Sequence, residues 1–278
     1  MPALEDEFGD IIAKARRGMG ITAERLAEVC GLPVRDIGAM EAYRLTPEDG
    51  VIARLAAELS LDGPKLVGIA RGVWAPRPMK PTSGLTVDRI EVGLGGYSEN
   101  SYILGCAQTR RAAVVDPGGE AKRIAETIAE RELTVDWILI THAHGDHIGA
   151  LRELAERYPA ARVVSHPFDR ESVTQGISNR WEAADDGTRL DLGEIVVTPL
   201  FTPGHTPGSM CYSVGGVCFV GDTLFAGSIG GPVSHEVYPG MLGSIRAKVL
   251  SLSDSTVLYP GHGPASTVGE EKAHNPFF

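Results

Sequence analysis

Four apolar, β-branched runs in this chain each lead into side chains able to hold a metal ion, and this repeated arrangement restricts the fold more than any other feature. WILIT runs into HAHGDH, which supplies His142, His144, Asp146 and His147; VVTPLFTPGH ends on His205, VCFVGD on Asp222 and TVLYPGH on His262. Short runs of this composition read as buried strands. Loops leaving one edge of a rigid sheet can bring residues far apart in sequence into a single pocket. Pro-Gly steps before His205 and His262 turn the chain tightly. Five of the eight histidines occupy these positions.

A lone histidine after a strand is most often a turn residue, but HxHxDH is a different object. Imidazoles at alternate positions can face the same way on an extended segment, and Gly145 permits a bend that lets Asp146 and His147 serve a second centre. By count, seven side chains make two adjacent sites: His142, His144 and His205 for one ion, Asp146, His147 and His262 for the other, with Asp222 bridging. A purely nitrogen and oxygen ligand set suits zinc, iron or manganese. The cofactor expectation is therefore two divalent transition-metal ions, zinc first among them. A hydroxide held between the ions is the natural nucleophile, with Asp146 positioning it, since metal binding brings the pKa of water to about 7. Asp116, in VVDPGG, is expected to hold a ligand loop by hydrogen bonding. His166 and His235 are expected to be ordinary structural or surface histidines.

Composition limits the partners. The chain has 278 residues with 36 acidic against 26 basic side chains, a formal net charge of −10. Nucleic acid and anionic membranes are poor partners for such a surface, and a small-molecule substrate fits better. The four cysteines form no CxxC pair, which fits a reducing compartment. The acidic start, MPALEDEFGD, lacks the features of a signal peptide, and no run approaches the ~18 apolar residues of a membrane span. A cytoplasmic location is the expectation.

One boundary is visible. Residues 75–84, APRPMKPTSG, contain three prolines and resist both helix and sheet. The expected division is a helical domain over 1–75, a Pro-rich linker over 76–84 and a hydrolase domain over 85–278. The first part shows helical stripes, Phe8, Ile11, Ile12 and Ala15 in one and Leu26, Ala27, Val29 and Cys30 in another, with Thr22 as an N-cap and Gly31 as a stop. Its segment ITAERLAEVCGLPVRDIGAMEAYRLTPED resembles the helix-turn-helix of the Cro/C1 repressor family through Thr22, Leu26, Ala27, Gly31, Leu32, Ile37 and Glu41. That resemblance implies DNA binding, but residues 1–72 hold nine Lys or Arg against twelve Asp or Glu, net −3. Phosphate attraction needs the opposite balance. The expectation is a dimerisation or docking module that does not bind DNA, whose removal affects self-association or solubility more than turnover.

Residues 85–278 resemble the metallo-β-lactamase superfamily, through THAHGDH, the PGHTPG around His205, the GDTLF around Asp222 and the PGHG around His262. The resemblance implies an α/β fold, a four-layer αββα sandwich, here preceded by a small all-α helix-turn-helix-like domain. The ending PGHGPASTVGEEKAHNPFF is similar to that of short glyoxalase II-like (hydroxyacylglutathione hydrolase-like) enzymes. This second similarity implies a metal-dependent hydrolase of hydroxyacylglutathione-type thioesters, with a thiolate of pKa about 8.5 leaving unaided. Two departures stand out. AGSIGGPVSHEVYPG replaces the Gly-Arg stretch of that family, and no Lys/Arg cluster marks a glutathione carboxylate site. The alternatives are a mononuclear-iron, persulfide dioxygenase-like enzyme and a DNA-binding regulator whose metallo-domain is a sensor.

Overall fold

A computed structural model describes residues 3–77, 84–94, 97–177 and 180–278. Most of the expected linker, residues 78–83, lies outside the described residues. Five helices come first: α1 (Phe8–Gly18), α2 (Ala23–Cys30), α3 (Val34–Glu41), α4 (Asp49–Glu58) and α5 (Gly63–Ala70). Thr22 caps α2 by accepting from the Arg25 amide, and Gly31 closes it in the left-handed conformation at φ 65°. Of the two expected stripes, the first is wholly buried; in the second, Val29 lies at the rim of its helix and is exposed.

Two six-stranded sheets follow. The first runs in the order β1 (Leu85–Leu94), β2 (Tyr97–Cys106), β3 (Arg111–Val115), β4 (Thr134–Leu139), β5 (Arg162–Ser165) and β6 (Trp181–Ala183). Strands β3 to β6 are parallel, so each crossover carries helices: α6 (Ala121–Glu130), then α7 (Gly145–Ile148) with α8 (Leu151–Arg157), then α9 (Arg170–Val173). The second sheet holds β7 (Leu190–Leu192), β8 (Ile195–Phe201), β9 (Met210–Val214), β10 (Val217–Gly221), β13 (Val257–Pro260) and β14 (Ser266–Thr267) side by side. A small pair, β11 (Leu224–Phe225) and β12 (Ser228–Ile229), and helices α10 (Tyr238–Ser244) and α11 (Val268–His274) complete the chain.

Strand periodicity explains the layering. Along β4, Ile138 packs outward against Ile124, Ile128 and Leu154 of the helices. Its neighbour Leu139 packs inward with Tyr212 and Phe219 of the other sheet. Both faces are apolar because both are covered. On the second sheet, Cys211, Cys218, Val220 and Leu258 face away from the first sheet, into a core shared with Ile11, Leu26, Ile37, Leu55 and Leu66 of the N-terminal helices. The αββα sandwich is present, and its outer helical layer over the second sheet is extended by α1 to α5. Trp74 stacks on His274 with ring centroids 4.7 Å apart, and the Asp62 amide donates to the Pro276 carbonyl at 2.8 Å.

Strands β8, β10 and β13 run in one direction, and their ends meet the end of β4 at a single edge of the sandwich. Register slips between Phe219 and Gly221, a local irregularity of the kind that re-aims a strand end beside a site. Gly221 sits at φ 47°, and a Cβ there would lie 2.6 Å from Cβ of Thr141. Only glycine lets the two sheets close this tightly between two ligand-bearing loops.

Candidate metal centre

The segment 142–147 leaves β4 and brings two histidines onto the second sheet's loop. Nε2 of His142 lies 3.0 Å from Nδ1 of His144, and Nε2 of His205 lies 3.1 Å from that same Nδ1. One proton cannot serve three converging nitrogens. A divalent ion about 2.0–2.1 Å from each would do so. In the neighbouring cluster, Oδ2 of Asp146 is 3.4 Å from Nε2 of His262 and 4.0 Å from Nε2 of His147.

Asp222 stands between the clusters. Its Oδ1 is 3.4 Å from Nε2 of His147, and its Oδ2 is 3.5 Å from Nε2 of His205 and 3.6 Å from Nε2 of His262. Nε2 of His147 and Oδ1 of Asp222 are both buried without a hydrogen-bond partner among the described residues. Buried polar atoms are rarely left so. An ion bound by both removes the deficit, so these residues fit the metal that the sequence implies.

Most of the rings are fixed from behind. Nδ1 of His142 meets Thr141 Oγ1 at 3.2 Å, Nδ1 of His205 meets the Gly231 carbonyl at 2.9 Å, and Nδ1 of His262 meets the Ser98 carbonyl at 2.7 Å. Asp116 does most. It accepts from the Thr141 amide and hydroxyl at 2.7 and 2.6 Å and lies 3.0 Å from Nδ1 of His147. Such partners set ring orientation and tautomer.

Electrostatics sorts the ligands. Burial pushes His142 well below the usual imidazole range, with His147 adding to the effect, and burial lowers His205 as well. Both shifts favour the neutral ring, the form that binds metal. Asp222 is held far down despite burial, because His147, His142 and His262 surround it. For His147 burial acts downward, yet Asp222 and Asp116 outweigh it and raise the ring well above its ordinary value. A hydrogen bond from His262 lowers Asp146.

The structure brings all seven expected residues together. Gly145 departs from expectation: its φ is ordinary, and the bend is made by the four-residue helix α7. His166 is buried, accepts from the Phe168 amide at 3.2 Å and stacks on Phe201 at 4.1 Å, while His235 is exposed beside Glu236. Sequence reasoning missed Glu99. It is fully buried 3.9 Å from Nδ1 of His147, its pKa pushed up to about 10 by burial and by Asp116, Asp146 and Asp222 against an opposing pull from His147. Nothing in its strand sequence signals that position. Also missed were Glu5, Asp6 and Lys14, which line the same cavity as the metal-site residues.

Residues 94–267 match the metallo-beta-lactamase superfamily, and the chain belongs to that family. It is 36% identical over 186 residues to the hydroxyacylglutathione hydrolase GloC of Haemophilus influenzae, covering 60% of this chain and 87% of GloC. Among solved structures it is similar to the B3 metallo-beta-lactamase BLEG-1, with 32% identity, a TM-score of 0.58 and coverage of 68% of this chain and 99% of that one. It is also similar to TTHA1623 in a di-iron-bound form, with 31% identity, a TM-score of 0.56 and coverage of 68% and 100%. Helices α1 to α5 lie outside the matched segment. No helix among the described residues is long and apolar enough to cross a membrane.

Proposed function

We propose that this protein is a binuclear metal-dependent hydrolase of small-molecule thioesters of the hydroxyacylglutathione type. The observation that carries the proposal is the Asp222 carboxylate, 3.4 to 3.6 Å from histidines of both clusters. His142, His144 and His205 would hold one divalent ion and Asp146, His147 and His262 the second, sharing Asp222. Zinc is the first assignment. Iron is compatible with the same ligands, and the likeness to a di-iron-bound structure supports testing it. When bound, such ions supply Lewis acidity and water activated near neutral pH.

The protein's own residues do the rest. Burial favours His142 and His205 as neutral rings that would present lone pairs, and Asp116 keeps His147 oriented. Asp146, half-buried and held ionised by His262, faces the cavity as the acceptor for the proton of an attacking water. The departing thiolate needs no acid, whereas an amine leaving group must receive a proton. The name of GloC supports the thioester, and the likeness to BLEG-1, a B3 metallo-beta-lactamase, makes the β-lactam the rival to test. A mononuclear iron dioxygenase would use fewer of these ligands; convergence of Asp146, His147 and His262 with Asp222 supports two ions instead. The test is thiol release from S-lactoylglutathione by zinc- or iron-loaded protein, beside a chromogenic cephalosporin and persulfide-dependent oxygen uptake. Thiol release alone is expected; cephalosporin turnover or oxygen uptake with inert thioesters would reverse the assignment.

A further inference from the structure

The N-terminal helices stand outside the family's matched segment, yet the start of the chain reaches the metal centre. A cavity of about 260 Å³ opens over the two ligand clusters, and Glu5, Asp6, Lys14, Phe225 and Gly231 complete its lining. This wall is seated firmly. Gly263, the residue after His262, is left-handed at φ 73°, and a Cβ there would lie 2.8 Å from Cβ of Glu5. Farther along α1, a Cβ at Gly18 would lie 2.6 Å from the Tyr238 ring.

Lys14 is the only Lys or Arg in that lining among the described residues. Its ammonium pairs with Asp6, donates to the Ile229 carbonyl at 2.8 Å and lies 4.8 Å from the centroid of Phe225, whose ring meets His262 edge-on at 5.9 Å. Its side chain is 19% exposed and that of Asp6 8%. An ammonium has three donors. Asp6 and Ile229 take two, and the third has no acceptor among the described residues. Because Asp6 balances the charge, what Lys14, a lining residue beside the Phe225 ring, can add to the cavity is its third N–H rather than a general attraction for anions.

We infer that the N-terminal segment from Glu5 into α1 forms a built-in wall of the substrate pocket, and that Lys14 determines specificity by donating to a carboxylate on the thiol portion of the substrate. This rests on the thioesterase reading. The reacting carbonyl must sit at the ligand clusters, so the leaving thiol runs outward along the wall. A carboxylate is the acceptor for which an ammonium donor makes a short, strong bond. The cationic contact absent from the hydrolase part of the sequence is thereby supplied by a helix that precedes it.

The test uses the full-length, zinc-loaded protein and two lactoyl thioesters, one of glutathione and one of N-acetylcysteamine, which carries no carboxylate. In Lys14→Gln, the ratio of kcat/KM for the glutathione ester to that for the neutral ester is expected to fall about tenfold or more, through KM. The double variant Asp6→Asn/Lys14→Gln strands no buried charge and is expected to give the same fall; Lys14→Arg should recover part of it. An unchanged ratio, or an equal loss on both esters, overturns the inference. Calorimetric binding of the free thiols, glutathione and N-acetylcysteamine, separates this from the thioesterase reading. Glutathione binding that depends on Lys14 in a protein inert to both esters would overturn the hydrolase assignment and uphold Lys14. Equal glutathione binding by wild type and Lys14→Gln would overturn the role of Lys14.

Discussion

At the residue scale, Asp222 and Asp116 make separable predictions. Asp222→Ala removes the carboxylate between the clusters and is expected to reduce the metal content from about two ions per chain to one or fewer. Asp116→Ala leaves every proposed ligand in place and is expected to weaken metal binding by roughly 10–100-fold, the range for partners that orient a ligand. Equilibrium dialysis with elemental analysis distinguishes the two; full occupancy in Asp222→Ala would contradict the shared-ligand reading. Away from the site, Glu271 is fully buried, accepting from the Gly227 amide at 3.1 Å and from Asn275 Nδ2 at 2.8 Å. Burial, opposed in part by these hydrogen bonds, pushes its pKa up to about 7 from an ordinary 4.5. The folded state thus keeps a proton that the unfolded chain releases. Stability should fall as pH rises from about 4.5 to about 7 and level off above. Glu271→Gln should remove that fall, worth roughly 1–3 kcal/mol at neutral pH, in denaturant titrations at each pH; an unaltered slope would refute it. The seven site residues were legible because each follows an apolar run and their types suit metals. Glu99 and Lys14 were not, since each reaches the site only through contacts that the fold makes.

At the scale of elements, the N-terminal helices were legible as helices, caps included, but their placement was not. Periodicity shows that Ile11 and Leu26 must be covered and cannot say by what. The structure covers them in one core with Val220 and Leu258 of the second sheet. Ile11→Ala, at a position with no exposure, is therefore expected to cost about 2–5 kcal/mol. It should lower a single unfolding transition shared with the sandwich; two separate transitions, only one of them shifted, would contradict the common core. Some exposed cations of this region are already matched, Arg25 with Glu28 at 2.7 Å and Arg35 with Asp36 at 3.7 Å, and its acidic side chains outnumber its basic ones. No DNA affinity tighter than roughly micromolar is expected at physiological salt, and a nanomolar footprint would refute this. Beside the expectation that losing this region affects self-association or solubility more than turnover, the structure adds a direct link to the site. Glu5, Asp6 and Lys14 line the cavity over the ligands, so its loss opens the pocket as well as a core face.

At the scale of the whole molecule, two sheets close face to face so that loops from both meet at one edge, and Glu5, Asp6 and Lys14 of the N-terminal region line the pocket from a third side. The apolar strands were readable from the four strand-then-ligand runs, because a strand covered on both faces is apolar on both; the sandwich itself was implied by the family resemblance that the ligand motifs carry. The third side was not readable, because its contacts join residues such as Lys14 and Ile229 that are more than two hundred positions apart. The central claim is that two metal ions act together on a thioester. Its most direct test is thiol release from S-lactoylglutathione by metal-free full-length protein, titrated with zinc in fractions of an equivalent. Turnover should rise steeply only between about one and two ions per chain. Full activity at a single ion, or no thiol release at two, would contradict it.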